Sequence, residues 1–262
     1  MQLELKVLDK DGSLLACSSG ESEVNLVYKE EYNEGDKIVI NSDMKNCNLH
    51  VSIDDAIGAS TVYITRNEII YQIPFGDARL SISPKAFTGN IHLITVKEAF
   101  EEEKRNYRNL ALNKMDQHGD TGCYPHGTAN VETRGEAVFA AKNAIDGITE
   151  NRSHGEWPYS SWGINRRDDA EFKLEFGRSI IAEKIYLYTR ADFPHDNWWQ
   201  RVTLTFSDGS SMDWELEKSE KAHVLVLKEK KIEWLVLHHL IKADDPSPFP
   251  ALTQMEVYGR EA

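Results

Sequence analysis

KIYLYTRADFPHDNWWQRVTLTFSDG, residues 184–209, is the stretch that decides the fold. Two strand-like runs, IYLYT and VTLTF, flank a short connection, and the second run ends in a turn whose Asp208-Gly209 pair suits positive φ. Between them, RADFPHDNWWQR packs two arginines, two aspartates, a histidine, an asparagine and three aromatics into twelve residues. A segment this aromatic has reason to be buried, yet one this charged and proline-broken cannot pave an ordinary core. The pattern predicts a structured loop at the rim of a β-sandwich, where rings and hydrogen-bonding groups meet a polar ligand.

Working outward, the second half continues as strands: AEFKLEF, in which Phe172, Leu174 and Phe176 alternate inward, then HVLVL, IEWLVLHHLI and TQMEVYG. Period-two alternation with long connections predicts an antiparallel sandwich of jelly-roll type, its loops gathered at one end. The alanine-rich run EAVFAAKNAIDG predicts a turn or brief helix closed by Asp146-Gly147. All six tryptophans follow residue 156, so this half is expected to carry recognition. Trp162, Trp214 and Trp234 are expected in the core or on strands, and of the neighbours Trp198 and Trp199 one should face in and the other out.

Residues 1–100 also read as short strands. Leu3, Leu5 and Val7 alternate with polar neighbours, as do Leu49, Val51 and Ile53, and turn signals recur at DG, EGD, FGD and TGN. The expectation is all-β with two domains: a small antiparallel β-sandwich of unknown role over 1–100, a charge-dense helical linker over 101–112, and a jelly-roll β-sandwich over 113–262. His50 and His92 each sit within a strand-like run of the first domain and are expected to be surface or hydrogen-bonded structural residues rather than ligands.

Bulk properties narrow the function classes. The chain has 262 residues and a formal net charge of −13, with 43 acidic against 30 basic side chains. Nothing there offsets repulsion from phosphates, so neither nucleic acid nor an anionic membrane is an expected partner. Cys17, Cys47 and Cys123 are odd in number and widely spaced, and the opening MQLELKVLDKDG lacks a basic start followed by an apolar run. A reduced, cytoplasmic setting is the expectation.

Several blocks, in order, carry a resemblance: NLALN (109–113), NAIDG (143–147), SSWG (160–163), EFKLEFGR (171–178), IYLYT, VTLTFSDG and LTQMEVYG (252–259). Together they resemble the discoidin-like, coagulation-factor C-type domains, a group of galactose-binding-like jelly rolls that includes many bacterial carbohydrate-binding modules. The blocks HGEWPYSSWGINRRDDAE, RADFPHDNWWQ and DDPSPFPALTQ resemble a bacterial subfamily of these domains. The resemblance implies a structural Ca²⁺, matched here to Asp146, Asn151, Ser153 and Gln254. The last stands where the family usually has glutamate, which removes one negative charge from an ion that takes oxygen ligands.

The resemblance also implies a ligand site built from loops at one end of the sandwich. An aromatic ring stacks on the apolar face of a sugar, while arginine, histidine or asparagine bond its hydroxyls. The candidates are His154, Trp157, Tyr159, Arg166, Arg190, Asp192, His195, Asn197, Trp198, Trp199 and Phe249, with Trp198 or Trp199 expected as the stacking face and Trp157 as second choice. Structural alternatives stand beside them: Arg190 with Asp192, or Arg166 and Arg167 with Asp168 and Asp169, could equally brace the loops. The expected function is non-catalytic carbohydrate binding, with docking of another protein on the same aromatic surface as the alternative. A glycosidase using two of Asp192, Asp196, Asp244, Asp245 and Glu156 is the minor reading, since no spacing in the sequence fixes a catalytic pair.

Overall fold

The computed structural model describes residues 1–151 and 154–262. The chain is all-β, with antiparallel sheets throughout. In the first hundred residues lie β1 (Gln2–Leu8), β2 (Leu14–Glu21), β3 (Glu23–Tyr28), β4 (Lys37–Ser42), β5 (Cys47–Ser52), β6 (Ser60–Ile64), β7 (Glu68–Gln72) and β8 (His92–Glu98). They form two sheets, ordered β2-β1-β4-β7 and β6-β5-β8-β3. The expected alternation holds: Leu3, Leu5 and Val7 join Val24, Leu26, Leu49 and Val51 in one core. Each such fully buried side chain contributes about 1.5–3 kcal/mol, which is what drives the two sheets together.

The connection differs from the expected helical linker. Only Glu101–Arg105 forms a helix, α1, and none of its residues is buried. Without an apolar face to pack, a charged segment gains too little to propagate beyond one turn. The chain then gives β9 (Arg108–Asn109) to the second sandwich before returning to the first, where β10 (Cys123–Tyr124) pairs with β6. Met115 and Cys123 pack in the first core, so the halves interleave between residues 108 and 124 rather than parting at 113. Alternation marks a residue as buried but does not say in which core, which is why the crossing is invisible in the sequence. Contacts across the halves include Lys142 Nζ donating to Ser81 Oγ at 3.2 Å and the Arg178 guanidinium 5.0 Å from the Tyr63 ring.

The second sandwich adds β11 (His126–Ala129), β12 (Trp162–Gly163), β13 (Phe172–Thr189), β14 (Trp199–Phe206), β15 (Ser211–Glu215), β16 (His223–Lys242) and β17 (Ala251–Glu261). Two long strands serve both of its layers. The first part of β13 runs between β11 and β16, with β14 and β15 beyond; its second part runs between β17 and the start of β16. The change falls at residues 176–180, where the ladder is interrupted and Gly177 takes φ 68°, a conformation glycine adopts without steric cost. Phe172, Leu174 and Phe176 from the first part and Ile185 and Leu187 from the second share a core with Val202, Leu204, Leu235, Leu237 and Val257. The alanine-rich run forms short 3₁₀ turns at Ala137–Phe139 and Ala141–Ile145, and Gly147 follows at φ 87°.

Register gathers the loops. Leu252 of β17 stands opposite Thr189, the last residue of β13, and also opposite Trp162, while Trp199 opens β14 opposite Lys242. The connections 190–198 and 243–250 therefore leave the sandwich side by side at one end.

Candidate functional site

A cavity of about 430 Å³ opens at that end. It is lined from four directions: Thr133, Arg134 and Phe139 from the stretch that ends in the first of those 3₁₀ turns; His154 and Gly163–Arg166; Arg190, His195 and Asp196; and Pro248–Ala251. The volume lies within the range of about 300–1,000 Å³ that small-molecule sites occupy.

At its base, Arg190 and Asp196 are a buried ion pair, each 2% exposed, with Nε and Oδ2 3.4 Å apart. The Arg190 guanidinium also donates to His154 Nδ1 and lies 5.8 and 5.9 Å from the rings of Tyr159 and Phe139. Accepting at Nδ1 leaves a neutral His154 with its proton on Nε2, a donor. Burial, then the Arg190 charge and His195, hold His154 below the ordinary imidazole value. For Asp196, burial pushes the carboxyl up to about 6 against the opposing pull of Arg190. That carboxylate accepts the Asp192 amide at 2.9 Å, and the Asp196 amide donates to the Asp192 carbonyl at 3.1 Å. A turn closed from both sides fixes the loop.

Above this base runs a row of flat groups. The rings of Tyr159 and His154 are 6.1 Å apart, those of His154 and His195 4.1 Å, and those of His195 and Phe249 5.6 Å and nearly parallel, at 15°. The Arg166 guanidinium ends the row, 4.6 Å from the Phe249 centroid. Arg166 and its neighbour Asn165 take φ 61° and 51°, left-handed backbone at two consecutive non-glycine residues. Such strain persists where the surroundings over-determine it, which is frequent at ligand sites. The two loops are stitched together: Asn197 Nδ2 donates to the carbonyls of Ala243 and Ser247 at 3.2 and 2.8 Å, and Ser247 Oγ donates to the His195 carbonyl.

The structure thus sorts the residues singled out in the sequence. His154, Arg166, Arg190, His195 and Phe249 line the cavity. Tyr159 packs beside Arg190, Asp192 braces Asp196, and Asn197 is a buried stitch between loops. The tryptophans stand elsewhere. Trp199 is fully buried in the core 6.5 Å from Trp162, and Trp198 packs against Phe193 and Lys218 outside the cavity. Trp157 is exposed but does not line the cavity; the aromatic rings that do are those of Phe139, His154, His195 and Phe249. Thr133, Arg134, Phe139 and Asn165 were not singled out in the sequence. Nothing in the run around residue 133 distinguishes it from an ordinary loop, because its role comes only from lying against β12.

Neither catalytic pair nor calcium shell emerges from the described residues. Of the five carboxylates considered for glycosidase chemistry, Asp196 alone lines the cavity. Asp245 accepts the Ser247 amide at 3.0 Å and lies 3.8 Å from Lys218. Asp146 accepts the Ile148 amide, Gln254 Oε1 accepts the Gly147 amide at 3.2 Å, and Asn151 turns its amide nitrogen to the Thr189 carbonyl. Ser153 lies outside the described residues. Burial drives the Asp146 carboxyl up to about 7, with Lys142 and Lys114 opposing. One carboxylate, an amide oxygen already bonded and two ammonium groups nearby do not fit an ion that takes six to eight oxygens. No cluster of three His, Cys, Asp or Glu suited to a metal occurs among the described residues.

No family model matches the chain, and no curated protein matches it. Among solved structures, it is similar to a fucose-binding module from Streptococcus pneumoniae, at 16% identity over 59% of this chain and 99% of that one, with a TM-score of 0.43. It is similar to chitosan-binding module 1 of a chitosanase/glucanase from Paenibacillus sp. IK-5, at 19% identity over 58% and 99%, TM-score 0.41. A third likeness is to the family 32 CBM of C. perfringens NanJ in complex with galactose, at 16% identity over 50% and 91%, TM-score 0.39.

Proposed function

We propose that the protein is a non-catalytic carbohydrate-binding protein, and that the sugar sits in the cavity at the loop end of the second sandwich. The observation that carries this reading is the row formed by His154, His195 and Phe249, which is open to solvent and runs beside fixed hydrogen-bond donors. A pyranose needs both: a flat ring for its C–H face, and aligned, preferably charge-assisted partners for its hydroxyls. Arg190 is held by Asp196, and His154 presents Nε2–H, so these donors are set before any ligand arrives and little is lost in ordering them.

Isothermal titration with neutral, amino and acidic monosaccharides, on wild type and Phe249→Ala, tests the proposal. Heat is expected with at least one sugar, with affinity falling about tenfold in the variant, the size of one lost ring contact. No heat with any sugar, or equal affinity in the variant, overturns it.

A further inference from the structure

We propose that the ligand of this cavity is an acidic sugar, a pyranose bearing a carboxylate or a sulfate ester, and that Arg166 reads its negative charge. The inference rests on the carbohydrate reading above and narrows it. The chain as a whole carries −13, so a cavity of opposite sign runs against its composition. Three guanidinium groups face it: Arg134, Arg166 and Arg190.

Two of the three are compensated by the protein itself. Arg134 pairs with Glu136 through Nε and Nη2, at 2.5 and 2.8 Å, and Arg190 pairs with Asp196. Arg166 has no carboxylate partner among the described residues; its guanidinium lies over Phe249 at the cavity wall. The next residue shows the difference, since Arg167 makes a two-point bond to Asp169 at 2.7 and 2.5 Å. One positive charge is therefore left at the cavity, carried by a planar fork that matches a carboxylate or a sulfate ester in two-point geometry. The left-handed backbone at Asn165 and Arg166 places that fork on the Phe249 face. A neutral sugar would leave the charge to water, whereas one anionic group bonded to Arg166 balances it.

The test titrates the whole protein with three matched sets, built on galactose, glucose and mannose, each comprising the neutral hexose, its uronate and its 6-sulfate. In at least one set an acidic member should bind about tenfold or more tighter than its neutral parent, the scale of one charge-assisted contact. The advantage should shrink as ionic strength rises from about 0.05 to about 0.5 M. Arg166→Gln should erase the difference between acidic and neutral members, and Arg166→Lys should keep part of it. The winning arm, uronate or sulfate, identifies the group. Neutral sugars binding as tightly as their acidic counterparts in every set overturn this inference and leave the carbohydrate reading standing. An acid preference that survives in Arg166→Gln overturns the role of Arg166; no binding by any member overturns this inference, and the carbohydrate reading falls with it only if the other neutral and the amino sugars give no heat either.

Discussion

Each half of the chain gathers histidine, aspartate and aromatic rings in one place, and the two gatherings differ in whether water reaches them. In the first sandwich His92 packs 4.3 Å from Tyr32 and 6.1 Å from Tyr28, with the Asp54 carboxylate 3.7 Å away; His92 is 1% exposed and Asp54 2%. His92 and Asp54 there find internal partners: His92 Nε2 meets the Gly89 carbonyl at 3.0 Å, and Asp54 accepts the amides of Ala56 and Phe87 at 2.8 and 3.0 Å. In the cluster at the loop end of the second sandwich the base, Arg190 with Asp196, is buried where it borders the cavity, while His154, His195, Arg166 and Phe249 keep a face to solvent. The same side-chain chemistry braces a fold when it is shut off and stays reachable by water when a buried layer holds it open. Burial, rather than residue type, separates the two uses.

The hardest blow falls on the core of the second sandwich, which holds its strands in register below the loops. Trp199 is 0% exposed whereas Trp157 is 39% exposed. Trp199→Ala should cost about 3–5 kcal/mol, through lost burial and the cavity left behind. Trp157→Ala should stay within about 0.5 kcal/mol. All six tryptophans lie in the second sandwich, so their fluorescence during denaturant unfolding reports that half alone. Equal costs at the two positions would mean that Trp199 is not a core residue.

A pH series sharpens the contrast next. Asp196, pushed up to about 6, and Asp146, pushed up to about 7, hold their protons more tightly in the folded state than in the unfolded chain, where the value is near 3.8. Between the folded and unfolded values the folded state binds more protons, so stability from these groups is present at low pH and is lost as pH rises. The window runs from about 4 to about 6 for Asp196 and extends to about 7 for Asp146. For Asp196 the loss is on the order of 3 kcal/mol. Denaturation midpoints at several pH values should fall across this window in the wild type and fall less in Asp196→Asn and in Asp146→Asn. Parallel slopes in all three proteins would remove these carboxyls from the account.

The sequence shows the layers of the molecule well and the facing of single rings poorly. Alternation at Leu3, Leu5 and Val7, and at Phe172, Leu174 and Phe176, identifies both sandwiches because one slip in register would expose a whole core face. Five of the eleven candidate ligand residues also reach the cavity, since a loop dense in charge and rings has few other places to go. The tryptophans were illegible for a definite reason. Counting back by twos from Val202 puts Trp198 inside and Trp199 outside, but the ladder with β16 carries an extra β14 residue between Trp199 and Arg201. That bulge reverses the facing, so Trp199 is buried. A second irregularity, where His239 takes φ 47°, lies on the facing strand. Nothing in NWWQR or LHHLI announces either, because a bulge is decided by how two strands meet rather than by either one alone.

The smallest expected effect is also the cleanest comparison, because it changes one residue type in two surroundings. His92→Ala should cost about 2 kcal/mol or more, since it removes a sealed ring and leaves Asp54 facing the gap. His195→Ala removes an exposed ring that lies between His154 and Phe249 and should change stability by no more than about 0.5 kcal/mol. Its loop stays anchored, because Ser247 Oγ bonds the backbone carbonyl of residue 195, which alanine keeps. Thermal melts followed by circular dichroism give the stability half of the comparison, and titration with whichever sugar gives heat supplies the other half. His195→Ala should weaken that binding several-fold while His92→Ala, once folded, leaves it alone. If removing His195 unsettled the fold as much as removing His92, the row above Arg190 would be one more internal brace, and the cavity beside it would lose its claim to a ligand.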